Sequence, residues 1–200
     1  MIDRRHRLLV VDLGGVAAHY RPDARLEALT EATGIDAVTI TSELFDSGLD
    51  HEAELGNHST EHLVQLILDR LGHTVDLDDL VTAWSRCFEP ATESLEILAR
   101  QPVPCALFTN NGPMVDLCLQ GPLRGLARRF ETTICSWHIG ATKPTRAAFD
   151  RAADRLNRTP AELFLLDDSA ANVTGAREAG WSAAQVTDAI DLGQVLSPDD

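Results

Sequence analysis

Apolar residues along this chain fall into two patterns: short unbroken runs, and longer stretches in which they recur every three or four positions. Arg7 to Val11 opens a continuous run of leucine and valine, the pattern of a strand buried on both faces of a parallel sheet. "VPCALFTN" (Val103 to Asn110), "ETTICSW" (Glu131 to Trp137) and "ELFLLDDS" (Glu162 to Ser169) repeat it, and "SAAQVTD" (Ser182 to Asp188) is a weaker fifth run. Helical segments at Pro113 to Leu119, Thr145 to Leu156 and Ala170 to Ala179 lie between the later runs, the last stopped by Gly180. Strands alternating with helices predict an α/β fold, a doubly wound, Rossmann-like parallel sheet with right-handed crossovers.

Arg21 to Arg100 breaks the alternation, because it carries several amphipathic helical patterns and no convincing strand. Leu26, Leu29 and Ala32 share one face of "RPDARLEALTEATG"; Leu63, Leu66, Ile67 and Leu71 share one face of "TEHLVQLILDRLG". The pattern predicts a helical cap inserted after the first strand, with a final helix at Ala91 to Ala99 returning the chain to the sheet. The expected division is a core domain of residues 1–18 and 95–200 and a cap domain of residues 19–94.

Ligands of an open parallel sheet bind beyond the carboxyl ends of its strands, so the polar residue closing each apolar run is the one to inspect. The first run ends at Asp12, the second at Thr109, Asn110 and Asn111, and the fourth at Asp167 and Asp168, while Lys143 follows the third in "GATKPT". Taken singly, these are ordinary cap, turn and loop residues. Together, three carboxylates at one sheet edge repel one another unless a cation compensates them. A hard divalent ion with oxygen ligands is the natural remedy, and Mg²⁺ is the one that combines a few carboxylates with substrate phosphate.

Composition sharpens this picture. With 44% hydrophobic and 24% charged residues, 200 residues bury an ordinary core, and the net charge of −14 argues against a nucleic-acid partner. An anionic substrate would need its charge handled locally, by a few cations or a metal in one cleft. Cys87, Cys105, Cys118 and Cys135 form no CxxC pair and read as buried free thiols. Basic residues precede an apolar run in "MIDRRHRLLVVDLGG", but that run is too short for a signal peptide and no stretch reaches the roughly 20 apolar residues of a spanning helix. The expectation is a cytoplasmic protein with no membrane partner, either monomer or homodimer.

The residues at the strand ends resemble the haloacid dehalogenase-like (HAD) hydrolase superfamily along the whole chain. "VVDLGGV", "LFTNN", "TKP" and "LLDDSAANVTGAREAG" look like its four motifs in order, the insertion is similar to its helical cap class, and "DLGGV" resembles a branch containing small sugar phosphatases. The resemblance implies a Mg²⁺-dependent phosphatase of a small phosphorylated metabolite. Asp12 would be the nucleophile that forms an aspartyl-phosphate, Thr109 and the Asn110 amide would meet the phosphoryl group, and Lys143 would neutralise it. Asp12, the carbonyl of Gly14, Asp167 and Asp168 would hold Mg²⁺, with Asn172 in a supporting position. Asn111 and Gly15 would complete the phosphate-binding loops.

Most phosphatases of that superfamily carry an aspartate two residues after the nucleophile, where it protonates the leaving oxygen. Here that position is Gly14. His19, in the segment expected to form a hairpin-like flap, is the surrogate the sequence offers, since imidazole is poised near neutral pH. A catalytically impaired protein that binds a phosphorylated ligand or a protein partner, and a metal-free haloacid dehalogenase, are the alternatives. "HSTEH" (His58 to His62) matches the zinc pattern HxxEH, but Ser59 reads as a helix start that leaves His58 outside. Asp46, His51 and Glu54 are the polar cap positions read as either specificity residues or solvated loop charges.

Overall fold

The computed structural model describes residues 6–197. The basic residues before His6 and the outermost ends of the expected core domain, residues 1–5 and 198–200, lie outside the described residues. Among the described residues seven strands form: β1 (Leu8–Val11), β2 (Ala18–Tyr20), β3 (Phe88–Pro90), β4 (Cys105–Thr109), β5 (Thr132–Cys135), β6 (Leu163–Asp167) and β7 (Ser182–Gln185). Five of them make one parallel sheet in the order β5-β4-β1-β6-β7. Order reverses at β1: the chain builds outward through β4 and β5 on one side, then crosses back to add β6 and β7 on the other, so a crevice opens at its carboxyl end.

Strand periodicity then sorts the core into two faces. Leu9, Val11, Leu107, Phe164 and Leu166 point to one side, Leu8, Val10, Phe108, Leu163 and Leu165 to the other. The insertion contributes α1 (Pro22–Thr33), α2 (Ala37–Ile40), which runs on into wider π-helical turns at Thr41–Asp46, α3 (Leu49–Glu54), α4 (Thr60–Arg70) and α5 (Leu77–Ser85). After it come α6 (Thr92–Ala99), α7 (Pro113–Gln120), α8 (Arg124–Ala127), α9 (Ser136–Ile139), α10 (Arg146–Leu156), α11 (Ala170–Glu178) and α12 (Ala189–Leu196). α6, α7 and α12 cover the first sheet face, α10 and α11 the second. The chain is therefore the doubly wound α/β fold that the alternating pattern predicts.

Short polar side chains start the insertion's helices. Asp36, Ser59 and Asp76 accept the N–H groups of Thr39 (3.0 Å), His62 (3.2 Å) and Asp79 (2.9 Å), each satisfying a donor with no partner inside its own helix. His58 stands before α4, its Nε2 3.2 Å from Glu52 Oε2, so the HxxEH spacing does not lie within one helix. The apolar cluster on the first sheet face continues without a break into Leu29, Ile40, Leu63, Ile67 and Trp84 of the insertion. The helices between β2 and β3 thus share their core with the sheet.

The expected flap takes a different form. β2 pairs antiparallel with β3, Ala18 opposite Pro90 and Tyr20 opposite Phe88, so the chain leaves and re-enters the core along two adjacent strands. The apolar pattern over Arg21 to Arg100 shows no such strand, because three residues ending in a proline leave no periodicity to read. Among the described residues, no helix is long and apolar enough to cross a membrane.

Candidate active site

A cleft of about 260 Å³ opens where β1, β4 and β6 end. Its floor is built on Lys143. The side chain is buried, and its Nζ donates to Asp12 Oδ1 (2.8 Å), Asp167 Oδ2 (2.6 Å) and the Phe108 carbonyl (2.9 Å). Burial opposes the ammonium charge, but the Asp12 and Asp167 carboxylates outweigh it and raise the lysine pKa. The same burial pushes the Asp12 carboxyl up from 3.8 to about 6, Lys143 pulling it down and Asp167 adding to the rise. Burial and Asp167 likewise raise Asp168.

Asp167 and Asp168, adjacent in sequence, have separate positions. Asp167 is fully buried, and its Oδ1 accepts from Ser169 N–H (3.0 Å) and Asn172 Nδ2 (2.9 Å) while Oδ2 takes the lysine. With both oxygens engaged it faces Lys143, whereas Asp12, Asp168 and Gly14 line the cleft. Asp167 thus stands behind the residues that line the cleft, although one of its oxygens lies within 4.8 Å of oxygens of Asp12 and Asp168. Asn172 lines the cleft and donates to Asp167.

Thr109 is buried and also lines the cleft, its Oγ1 accepting from Asn111 Nδ2 at 2.7 Å. Asn110 lines the cleft as well. Its side-chain amide is committed to the Lys143 backbone, Nδ2 donating to the carbonyl (2.8 Å) and Oδ1 accepting from the N–H (2.9 Å), which clamps the lysine loop against β4. Gly15 has φ +83°, and a Cβ there would stand 2.3 Å from Asp168 Oδ2, so only glycine lets the turn after β1 pass beneath that carboxylate.

His19 is exposed and does not line the cleft. In β2 it sits opposite Glu89, and its side chain points away from the face that its neighbour Tyr20 turns to the cleft. Tyr20 fills the space next to Gly14: a Cβ at position 14 would lie 3.4 Å from Tyr20 Cβ.

The insertion supplies the opposite wall, with Arg25, Asp50, Glu54 and Phe88. Arg25 is buried on α1, donates to Tyr20 Oη (3.0 Å), and lies over the rings of Phe45 (4.9 Å) and Trp84 (5.1 Å). Asp50 and Glu54 are four residues apart on α3 and share a face. Burial raises Asp50 above the usual carboxylate range. Burial, reinforced by the charge of Asp50, pushes Glu54 from 4.5 to about 7. Of the three polar cap positions read from sequence, Glu54 reaches the cleft, while Asp46 and His51 are exposed and do not line it.

Arg25 and Asp50 escaped the sequence reading, although each leaves a trace. Arg25 occupies the buried stripe of α1 with Leu29 and Thr33, a charge at an apolar position. Asp50 is spaced one turn from Glu54.

A second group of ligand-type side chains, Asp116, Cys135 and His138, lies within 4.8 Å of one another. It is closed on itself: His138 Nδ1 accepts from Cys135 N–H (3.1 Å) and its Nε2 lies 2.6 Å from Asp116 Oδ2. All four cysteines are free and buried.

Residues 6–180 match the family model described as haloacid dehalogenase-like hydrolase. The chain belongs to the haloacid dehalogenase-like hydrolases. Within this family it is 24% identical over 197 residues to a D-ribitol-5-phosphate phosphatase of Bacteroides thetaiotaomicron, across 94% of this chain and 96% of that protein. Its fold matches a HAD family enzyme of the same organism, crystallised in complex with magnesium and inorganic phosphate, with a TM-score of 0.72 and 22% identity over 90% of this chain and 93% of that one. It also matches an L-2-haloacid dehalogenase of Xanthobacter autotrophicus with chloropropionic acid covalently bound, with a TM-score of 0.60 and 19% identity over 90% and 77% of the two chains.

Proposed function

We propose that this HAD-family hydrolase is a Mg²⁺-dependent phosphatase that cleaves a small phosphorylated polyol or sugar through an aspartyl-phosphate on Asp12. The observation that carries the reading is the charge balance of the floor. Oxygens of Asp12, Asp167 and Asp168 lie within 4.8 Å of one another, and Lys143 is the single cation bonded to them among the described residues. That excess of negative charge fits a divalent ion, held by Asp12, Asp168 and the Gly14 carbonyl, with Asp167 acting behind them through Lys143 and Asn172. When bound, the ion would supply charge neutralisation for the phosphoryl oxygens. The relatives' magnesium, phosphate and ribitol-phosphate chemistry supports the same assignment.

In this reading Asp12 attacks phosphorus from the end of β1, and the ester oxygen leaves toward the cap. Lys143 holds the nucleophile ionised, since its ammonium opposes the burial that otherwise favours the protonated carboxyl. Thr109 Oγ1 accepts from Asn111 and so keeps its own O–H free for a phosphoryl oxygen. Arg25, Asp50 and Glu54 face the rest of the substrate, and a cleft of about 260 Å³ suits a small metabolite.

Phosphate release from ribitol 5-phosphate and a panel of sugar phosphates, with and without Mg²⁺, tests the proposal. The expected result is turnover that disappears on removing the ion and in Asp12→Asn, with acid-stable ³²P label on the native protein alone. Chloride release from 2-chloropropionate without phosphatase turnover would instead select the dehalogenase reading. Ligand binding without turnover of any ester would select the binding-protein reading that Gly14 motivates.

A further inference from the structure

With glycine at position 14 and Tyr20 beside it, the floor carries no group able to protonate a leaving oxygen on that side. The cleft wall narrows the choice of substitute. Among the described residues, its ionisable groups are Asp12, Asp168, Lys143, Tyr20, Arg25, Asp50 and Glu54. The first three are used by the phosphoryl group and its ion. Arg25 does not give up its proton. Tyr20 accepts a hydrogen bond from Arg25, and burial raises its phenol further above the neutral range. His19 points away.

Asp50 and Glu54 remain, and their surroundings differ. Burial raises Asp50 as well, but Arg25 and His51 both oppose that rise and favour its ionised form. Glu54 meets Asp50 first and Arg25 second, with His51 Nδ1 at 3.9 Å and Asp12, Lys143 and Asp168 across the cleft. Two neighbouring carboxyls with unlike partners divide the roles, one anion and one acid. No described residue donates a hydrogen bond to the Glu54 carboxyl, which leaves it open to the cleft.

Glu54 is also fixed in place. Its carbonyl accepts from Ser136 Oγ (2.7 Å), which in turn accepts from Asn111 N–H (3.1 Å), the residue bonded to Thr109. One residue earlier, Ala53 packs so closely on Gly112 that a Cβ there would stand 2.9 Å from the alanine Cβ. The end of α3 is thereby bolted to the loop after β4, which fixes the backbone from which Glu54 lines the cleft.

We propose that Glu54, from the insertion, is the proton donor and acceptor that the strand end lacks at Gly14. This rests on the phosphatase reading above. In the first step an Asp12 oxygen bonds to phosphorus, the bond from phosphorus to the ester oxygen breaks, and the Glu54 proton passes to that oxygen, releasing the alcohol. In the second, the Glu54 carboxylate takes a proton from water as the water oxygen bonds to phosphorus. The bond to Asp12 breaks, releasing phosphate and restoring both carboxyls.

The test is kcat/KM against pH for the native protein, Glu54→Gln, Gly14→Asp and the double variant. Ribitol 5-phosphate serves as an ester with a basic leaving oxygen and 4-nitrophenyl phosphate as one that leaves unaided. Glu54→Gln is expected to lose about 10²–10⁴-fold on the polyol ester and less than about tenfold on the aryl ester. It should also abolish the fall in polyol rate as pH rises through about 7. Gly14→Asp, whose Cβ meets only ordinary contacts with Tyr20, should restore the polyol rate in the double variant. Equal losses on both esters with no rescue, or an unchanged polyol rate, would overturn the assignment while leaving the phosphatase standing. A native protein that cleaves neither ester with Mg²⁺ present would overturn both.

Discussion

The two walls of the cleft are built on opposite principles. On the floor the buried charges behind the nucleophile are saturated: Lys143 has three acceptors, one of them Asp12 Oδ1, and both Asp167 oxygens are taken. On the insertion side, no described residue donates to the carboxyls of Asp50 or Glu54, and Arg25 makes one side-chain hydrogen bond while stacking on two rings. A saturated network holds its geometry before substrate arrives, which is what attack on phosphorus requires. Unsatisfied groups wait for partners, so a ligand lacking matching hydroxyls leaves them desolvated and is rejected. Attack on phosphorus and selection of the substrate are thus separated by wall, with proton transfer from Glu54 reaching across from the selecting side.

That separation breaks most sharply at Lys143. Lys143→Met strands two buried carboxylates, and is expected to abolish turnover and to lower stability by about 3–5 kcal/mol in chemical denaturation. Asp12→Asn should equally abolish turnover, yet leave the metal-free protein at least as stable as the native one above pH 6, because burial already disfavours the charged form there. Equal destabilisation by both variants would show that the floor is held together in some other way.

Gly15→Ala drives a Cβ into Asp168 at a backbone angle that favours glycine. The expected cost is about 10–100-fold in Mg²⁺ affinity, read by titrating turnover against the ion. Arg25→Lys tests the other wall. It keeps the charge but loses the planar stacking on Phe45 and Trp84, and should raise KM for polyol phosphates several-fold with kcat nearly unchanged.

The smallest effect is on stability alone. Since the folded state raises Glu54 from 4.5 to about 7, it binds more protons than the unfolded chain between those values, so stability is present at low pH and lost as pH rises through the window. Glu54→Gln should therefore give a shallower decline in unfolding midpoint between pH 4.5 and pH 7.

The contrast between the walls also explains what could be read from sequence. Floor residues close apolar runs, and each run is legible because a strand buried on both faces admits almost nothing polar until its end. Asp12, Thr109 and Asp168 announce themselves in that way. Whether His19 or Tyr20 faces the cleft is a question of strand phase that a three-residue segment leaves open. Arg25 depends on rings from α5 and the π-helical turns, far along the chain, and α3 is too short to display a periodic face. Glu54 acquires its meaning from the contact of Ala53 with Gly112 and from its own carbonyl's bond to Ser136, which no local pattern encodes.

The position of β1 bears on how the protein is made. Of the described strands it comes first in sequence but lies at the centre of the sheet, and Leu9 must wait for Cys105 on one side and Phe164 on the other. At cellular synthesis speeds of about 5–20 residues per second, its first partner emerges roughly 5–20 s later. Throughout that interval the segment Leu8–Val11 has no strand to pair with, and its backbone and side chains are open to other nascent chains. Yield on expression should therefore respond more steeply to chaperone supply and to translation pauses between residues 12 and 105 than to pauses after β6.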